Sequence, residues 1–111
     1  MTTTVIYQHG EPTELVVSTS TTGGKSTFAV GPHGEYIANF LVAYNTTPSN
    51  PQVNIETSDD NVTWAVLTST TNPAGEYIIE KYFNSRFIRA NLVATDGKLV
   101  TVTCFARHYF S

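Results

Sequence analysis

The sequence predicts an all-β fold: one antiparallel β-sandwich of about eight or nine strands, with the jelly roll as one connectivity open to it. Three observations carry this. Apolar and polar residues alternate singly along short runs, as strand side chains do. Clusters of Gly, Pro, Asn and Asp punctuate the chain roughly every ten residues. The composition is 41% hydrophobic but only 14% charged, with Thr, Ser and Asn filling the polar positions. Thr is β-branched and polar, so it suits the outward side of a strand. A chain of 111 residues suits one domain, residues 1–111, with a core that needs no disulfide or metal.

In chain order, Thr2 to Gln8 alternates around Val5 and Tyr7, and residues 1–10 read as a first strand or an N-terminal arm that a partner orders. Glu14 to Ser20 is a strand that ends in a Thr22-Gly23-Gly24 turn. Lys25 to Val30 is a short strand, closed by Gly31-Pro32-His33-Gly34. Glu35 to Tyr44 is the longest apolar run, and its aromatic and β-branched content favours strand over helix. Asn45 to Pro51 holds two prolines and reads as a surface loop.

The stretch from Gln52 to Ala94 organises the rest. Val53, Ile55 and Thr57 share one strand face, the polar run Ser58-Asp59-Asp60-Asn61 turns the chain, and a second strand follows. Trp64 and Val66 share a face there, with Trp64 expected as a core anchor. Thr68 to Gly75 reads as an exposed turn, Glu76 to Tyr82 as a strand, and Arg86 to Thr95 as the next. Asp96-Gly97 is a two-residue hairpin signal. Lys98 to Tyr109 closes the chain, with Val100, Val102 and Cys104 on one side.

Several function classes are excluded on chemistry. Net charge is −3 and the six Lys and Arg are scattered, so no basic stripe suits nucleic acid. No apolar run approaches the roughly 18 residues of a membrane helix. The first ten residues lack a basic region and an apolar region, which leads us to expect synthesis in a host cytoplasm. The single cysteine, Cys104, can form no intrachain disulfide and reads as a small buried side chain. His9, His33 and His108 sit at no metal-ligand spacing. Asp59-Asp60-Asn61 lacks the longer frame of a calcium loop. Glu76 and Glu80 share a strand face but have no cleft to work in. Gly-Lys-Ser at 24–26 lacks the upstream glycine of a phosphate loop, and no nucleophile motif occurs. We therefore expect no enzyme, no cofactor and no metal.

A resemblance supplies the functional expectation. The run I-E-T-S-D-D-N-V-T-W-A-V-L, then N-S-R-F-I-R-A-N-L-V-A and T-V-T-C-F-A-R, resembles a pattern of phage virion proteins that also recurs in discoidin-like sugar-binding sandwiches. It covers about half the chain, within residues 52–108; Asn61 stands where glycine is usual and Phe87 where tyrosine is common. Within that class the chain is similar to capsid decoration (cement) proteins of tailed phages. The resemblance implies a structural virion protein on the capsid surface, a homo-oligomer, expected to be a trimer, that binds the major capsid protein. The expected gripping residues are Thr2, Thr3, Thr4, Tyr7 and His9 in the arm, Asn45, Thr46, Thr47 and Asn50 in one loop, and Asn72 in another. The alternatives are a carbohydrate-binding module or receptor-binding fibre component using Tyr36, Tyr44, Tyr77 or Tyr82, and a tail or baseplate protein.

Overall fold

The computed structural model describes residues 12–32 and 34–108. They form nine strands and no helix: β1 Thr13–Thr19, β2 Gly23–Gly24, β3 Phe28–Ala29, β4 Tyr36–Tyr44, β5 Gln52–Ser58, β6 Ala65–Thr70, β7 Glu76–Phe83, β8 Phe87–Ala94 and β9 Val100–His108. One sheet has the order β1-β9-β4-β7, the other β2-β8-β5-β6, with β3 also on β8. Every pairing is antiparallel. The expected antiparallel sandwich is what forms.

Alternation decides the core. Tyr36, Ala38, Phe40 and Val42 of β4 and Val100, Val102, Cys104 and Ala106 of β9 face Val53, Ile55, Ile88, Ala90 and Leu92 of the other sheet. Phe40, Ile55, Ile88 and Leu92 are fully buried. Each contributes about 1.5–3 kcal/mol by leaving water. The run Glu35 to Tyr44 is indeed a strand, interior to its sheet between β9 and β7.

The pairings nest: β1 with β9, β2 and β3 with β8, β4 with β7, and β5 with β6. Only β5 and β6 are chain neighbours that pair as a hairpin. β2 and β3 follow one another along β8, and every other connection crosses between the sheets. The Asp96-Gly97 turn forms as its residues demand, with φ of 56° and 71° and a bond from Lys98 N to Thr95 O of 3.0 Å. Yet it joins β8 in one sheet to β9 in the other, so it makes no hairpin. The reason lies in a competing partner. Asn45 N donates to Leu99 O (2.9 Å) and Leu99 N donates to Asn45 Oδ1 (2.8 Å), drawing the chain onto the end of β4.

Two further expectations need correction. Gly23-Gly24 is not a turn but a short strand opposite Leu92 and Asn91, and the expected strand Lys25 to Val30 shrinks to Phe28–Ala29. Lys25 N to Ala90 O and Val30 N to Arg86 O link these pieces into one interrupted edge along β8. Trp64 is not a core anchor. Ile55 opposes Thr68 but Glu56 opposes Val66, so Leu67 is a bulge residue. That slip turns Trp64 and Val66 outward with Glu56 and leaves Leu67 packed on the core.

Candidate functional site

Those of the residues expected to grip a partner that the structure describes gather at one end of the sandwich. Asn45, Thr46, Thr47, Asn50 and Asn72 are all exposed, in the loops 45–51 and 71–75. Tyr44 N donates to Gly75 O (2.8 Å), and Thr47 Oγ1 lies 3.5 Å from where a Gly75 Cβ would stand, so the loops touch. They are also braced. Ser49 N donates to Asp96 Oδ2 (2.8 Å), Asn45 is held by Leu99, and Pro48 and Pro51 are buried. Ala74 N donates to Asn72 Oδ1 (2.9 Å), the self-bonded turn typical of Asn. This end is a preformed rim rather than a pair of loose loops. Thr2, Thr3, Thr4, Tyr7 and His9 lie outside the described residues.

The tyrosines divide sharply. Tyr36 is buried, stacked on Phe83 at 5.7 Å and beside His108 at 4.7 Å, with its hydroxyl donating to Pro32 O. Tyr44 and Tyr77 keep their hydroxyls buried beside one another. Burial, and then the neighbouring Tyr77 phenol, pushes the Tyr44 hydroxyl up to about 12. Tyr82 is exposed, at 57%.

The outer face of the β5–β8 sheet carries a cluster that the sequence pattern did not single out. Glu56 and Arg89 are opposite each other, as are Asn54 and Asn91. Arg89 Nε donates to Glu56 Oε1 (2.8 Å), and Asn91 Nδ2 donates to Glu56 Oε2 (2.9 Å). The Arg89 guanidinium lies 4.3 Å from the Trp64 ring centroid. A Cβ at Gly24 would come 2.9 Å from Arg89 Cζ, so any larger residue there must push the guanidinium aside from Glu56 and Trp64. Gln52 extends the row, donating from Nε2 to Ser69 Oγ (3.1 Å). The result is a fixed polar ledge with an indole at its end. Its signal in the sequence was the same-face spacing of Gln52, Asn54 and Glu56, and of Arg89 and Asn91.

The outer face of the β4–β9 sheet is of another kind. Asn39, Leu41, Ile78 and Phe105 line a shallow hollow of about 330 Å³, and Ile78 is 68% exposed. Side-chain pairs across the strands bring these residues together: Leu41 with Ile78, and Asn39 with both Glu80 and Phe105.

Chemical groups elsewhere are occupied or inert. Asp60 Oδ1 accepts from Val62 N (2.9 Å), Thr63 N (2.8 Å) and Ser58 Oγ (2.9 Å), which organises the β5–β6 turn. Those bonds, Thr63 first, hold its carboxyl down at about 2. Burial pushes the Cys104 thiol up to about 12. Among the described residues no group of three or more His, Cys, Asp or Glu could hold a metal ion.

No protein-family model and no curated protein sequence matches the chain. Likeness is found among solved structures. The SPBc2 prophage-derived protein YomS is 12% identical, with a TM-score of 0.59 over 87% of this chain and 92% of that one. A pentameric capsid protein isolated from metagenomic phage sequences is 16% identical, with a TM-score of 0.50 over 96% of this chain. The match spans 64% of that capsid chain's length. The N-terminal cellulose-binding domain of Cellulomonas fimi β-1,4-glucanase C is 7% identical, with a TM-score of 0.49 over 90% of this chain and 78% of that one. At these identities the likeness is one of fold. The chain is a two-sheet antiparallel β-sandwich of the kind seen in a prophage-derived protein and in a phage capsid protein.

Proposed function

We propose that this chain is a structural protein of a phage particle that decorates and stabilises the capsid, binding the major capsid protein as a homo-oligomer. The observation that carries the reading is the outer face of the β4–β9 sheet, where exposed Ile78 stands beside half-buried Leu41 and Phe105 around a shallow apolar hollow. Such a face on a small domain is a contact surface, because water leaves it when a partner covers it. The braced rim of Asn45, Thr46, Thr47, Asn50 and Asn72 gives a second, polar contact with little ordering cost. The nested strand pairing supports a jelly-roll description of the sandwich. The oligomer on the particle is a trimer, three chains of 12.2 kDa, so that three equal contacts add by avidity. The protein acts by binding and catalyses no reaction.

The test is co-sedimentation with emptied phage heads, paired with the heads' resistance to heat. Saturable binding that raises that resistance supports the reading, and folded protein that leaves heads unbound refutes it. Removing residues 2–9 tests the arm: weaker head binding with unchanged unfolding supports its role, and undiminished binding ends it.

One observation favours a second reading, a carbohydrate-binding or receptor-binding part. The Trp64 ring stands on the outer face beside the Glu56–Arg89–Asn91 ledge instead of in the core. Sugars stack on aromatic rings and bond to fixed polar groups. Trp64 is the only tryptophan, so its fluorescence reports directly. Saturable quenching by a glycan, lost in Trp64→Ala, would favour this reading over decoration.

A further inference from the structure

The edges of the two sheets are not alike. β1 carries two register shifts against β9 and a positive φ of 43° at Ser18. β2 and β3 are two residues each. β6 is offset by the Leu67 bulge. These are the devices by which sheets keep their edges from pairing with other chains. β7 has no shift, break or bulge: Glu76 to Phe83 runs eight residues without Pro or Gly, paired with β4 through Ala43↔Glu76 to Tyr36↔Phe83, and its one protective device is the core-facing charge of Lys81. Among the described residues nothing pairs with its other side.

We propose that β7 is a self-association edge, pairing antiparallel with β7 of a second copy so that the β4–β9 sheet continues across a two-fold axis. Charge rejects most self-pairing registers, and the Lys81–Tyr77 and Ile79–Ile79 meetings favour a second copy in the one that is left. A two-fold through a sheet keeps each face on its own side, so a residue meets one of the same parity. With the axis through residue 78, Glu76 meets the partner's Glu80, and with it through residue 80, Glu80 meets itself. With the axis through residue 81, Lys81 meets itself. Like charges placed opposite destabilise a sheet pair. With the axis through Ile79, Glu76 meets Tyr82, Tyr77 meets Lys81, Ile78 meets Glu80, and Ile79 meets its own copy. No like charges oppose. Axes nearer either end shorten the ladder.

The side chains agree with that register. Ile79 and Tyr77 pack against the core yet stay half-buried, because they sit at its open margin. A second β7 covers that margin with Ile79 against Ile79. Lys81, on the core-facing side of β7, is the one charge that resists a neutral partner strand. Here it meets an aromatic ring, which attracts a cation. This contact is two-fold and edge-on, distinct from the three-fold contact proposed on the particle. It shares Ile78 with the apolar face of the capsid reading, so solution mass and head binding are measured separately and either can fail alone.

Ile78 provides the test, since it is 68% exposed and its replacement opens no buried cavity. Sedimentation equilibrium of the full chain should show mass rising with concentration from 12.2 kDa toward twice that value. Ile78→Lys places a cation against the partner's Glu80 twice per dimer and should tighten association by about 2- to 30-fold. Ile78→Glu should weaken it by a similar factor, and adding Glu80→Lys to Ile78→Glu should restore it. Circular dichroism confirms that each variant folds. Three results overturn the proposal: a chain that stays at 12.2 kDa throughout, Lys and Glu at position 78 that both weaken association, or an oligomer indifferent to both. The second outcome would mark a contact through the apolar face, and the third a contact elsewhere.

Discussion

Replacing Arg89 with leucine tests the outer ledge of the β5–β8 sheet. The Glu56 side chain is 9% exposed and the Arg89 side chain 27%, with Nε 2.8 Å from Oε1. Removing one partner of a buried pair costs about 3–5 kcal/mol, because the other charge is stranded. Arg89 is partly wet and Asn91 still holds Glu56 Oε2, so a smaller figure of about 2 kcal/mol applies. Losing the guanidinium over Trp64 adds about 0.5–1 kcal/mol. Arg89→Leu should therefore cost about 2–3 kcal/mol, read from urea unfolding followed by circular dichroism and by Trp64 fluorescence. The decisive variant is the double, Glu56→Gln with Arg89→Leu. The glutamine amide keeps an acceptor for Asn91 but carries no charge, so the stranded-carboxylate penalty vanishes. The double should be more stable than the sum of the singles predicts by about 1 kcal/mol or more. Additive singles, or an Arg89→Leu cost below about 0.5 kcal/mol, would refute the account of Glu56 as a carboxylate held by its partners.

Three other outcomes follow from the geometry. Gly24→Ala drives a Cβ to 2.9 Å from Arg89 Cζ and should cost about 1 kcal/mol in the native chain, but nothing further once Arg89 is leucine; urea midpoints of both pairs decide it. The folded Asp60 carboxyl lies at about 2, below its ordinary 3.8, so its contribution is present above about pH 4 and lost as pH falls toward 2. Asp60→Asn should lower stability at neutral pH and flatten the loss of stability across that window, as measured by unfolding midpoints against pH. Cys104, with its thiol pushed up to about 12, should not react with a disulfide reagent in the folded protein at about pH 8 and should react fully in denaturant.

The longer strands were legible in the sequence because each is a local pattern. Val100 to His108 alternates plainly, and Tyr36 to Tyr44 is an apolar run whose aromatic and β-branched content favours strand. Gly23–Gly24 and Thr68–Thr70, read as turns, are instead held in strands by their neighbours on the sheet. Partnership is not local. Asp96-Gly97 adopts the hairpin conformation its residues favour, yet Asn45, far back in the chain, takes the backbone of Leu99. Trp64 illustrates the same limit. Alternation assigns it a face, but a single extra residue at Leu67 inverts inward and outward for everything before it. Of the candidate site, the exposed loops were visible from their Pro and Asn content. The ledge was not, because Glu56, Arg89 and Trp64 meet only when β5, β6 and β8 lie side by side.

The nested pairing has a consequence for synthesis and assembly. β5 and β6 close a short loop, and each outer pair can then close cheaply on the pair inside it, since loop-closure entropy grows only slowly with length. Loop entropy therefore favours an inside-out order of formation, with the β5–β6 hairpin first. β1 comes last, because its partners run from Val100 to Cys104. A ribosome that has released Thr13–Thr19 must therefore extend the chain through β9 before that strand has anywhere to go. Until then β1 and the faces destined for the core stay open to chaperones and to other copies. A chain lacking β9 leaves β1 without its partner strand and cannot seal the sandwich.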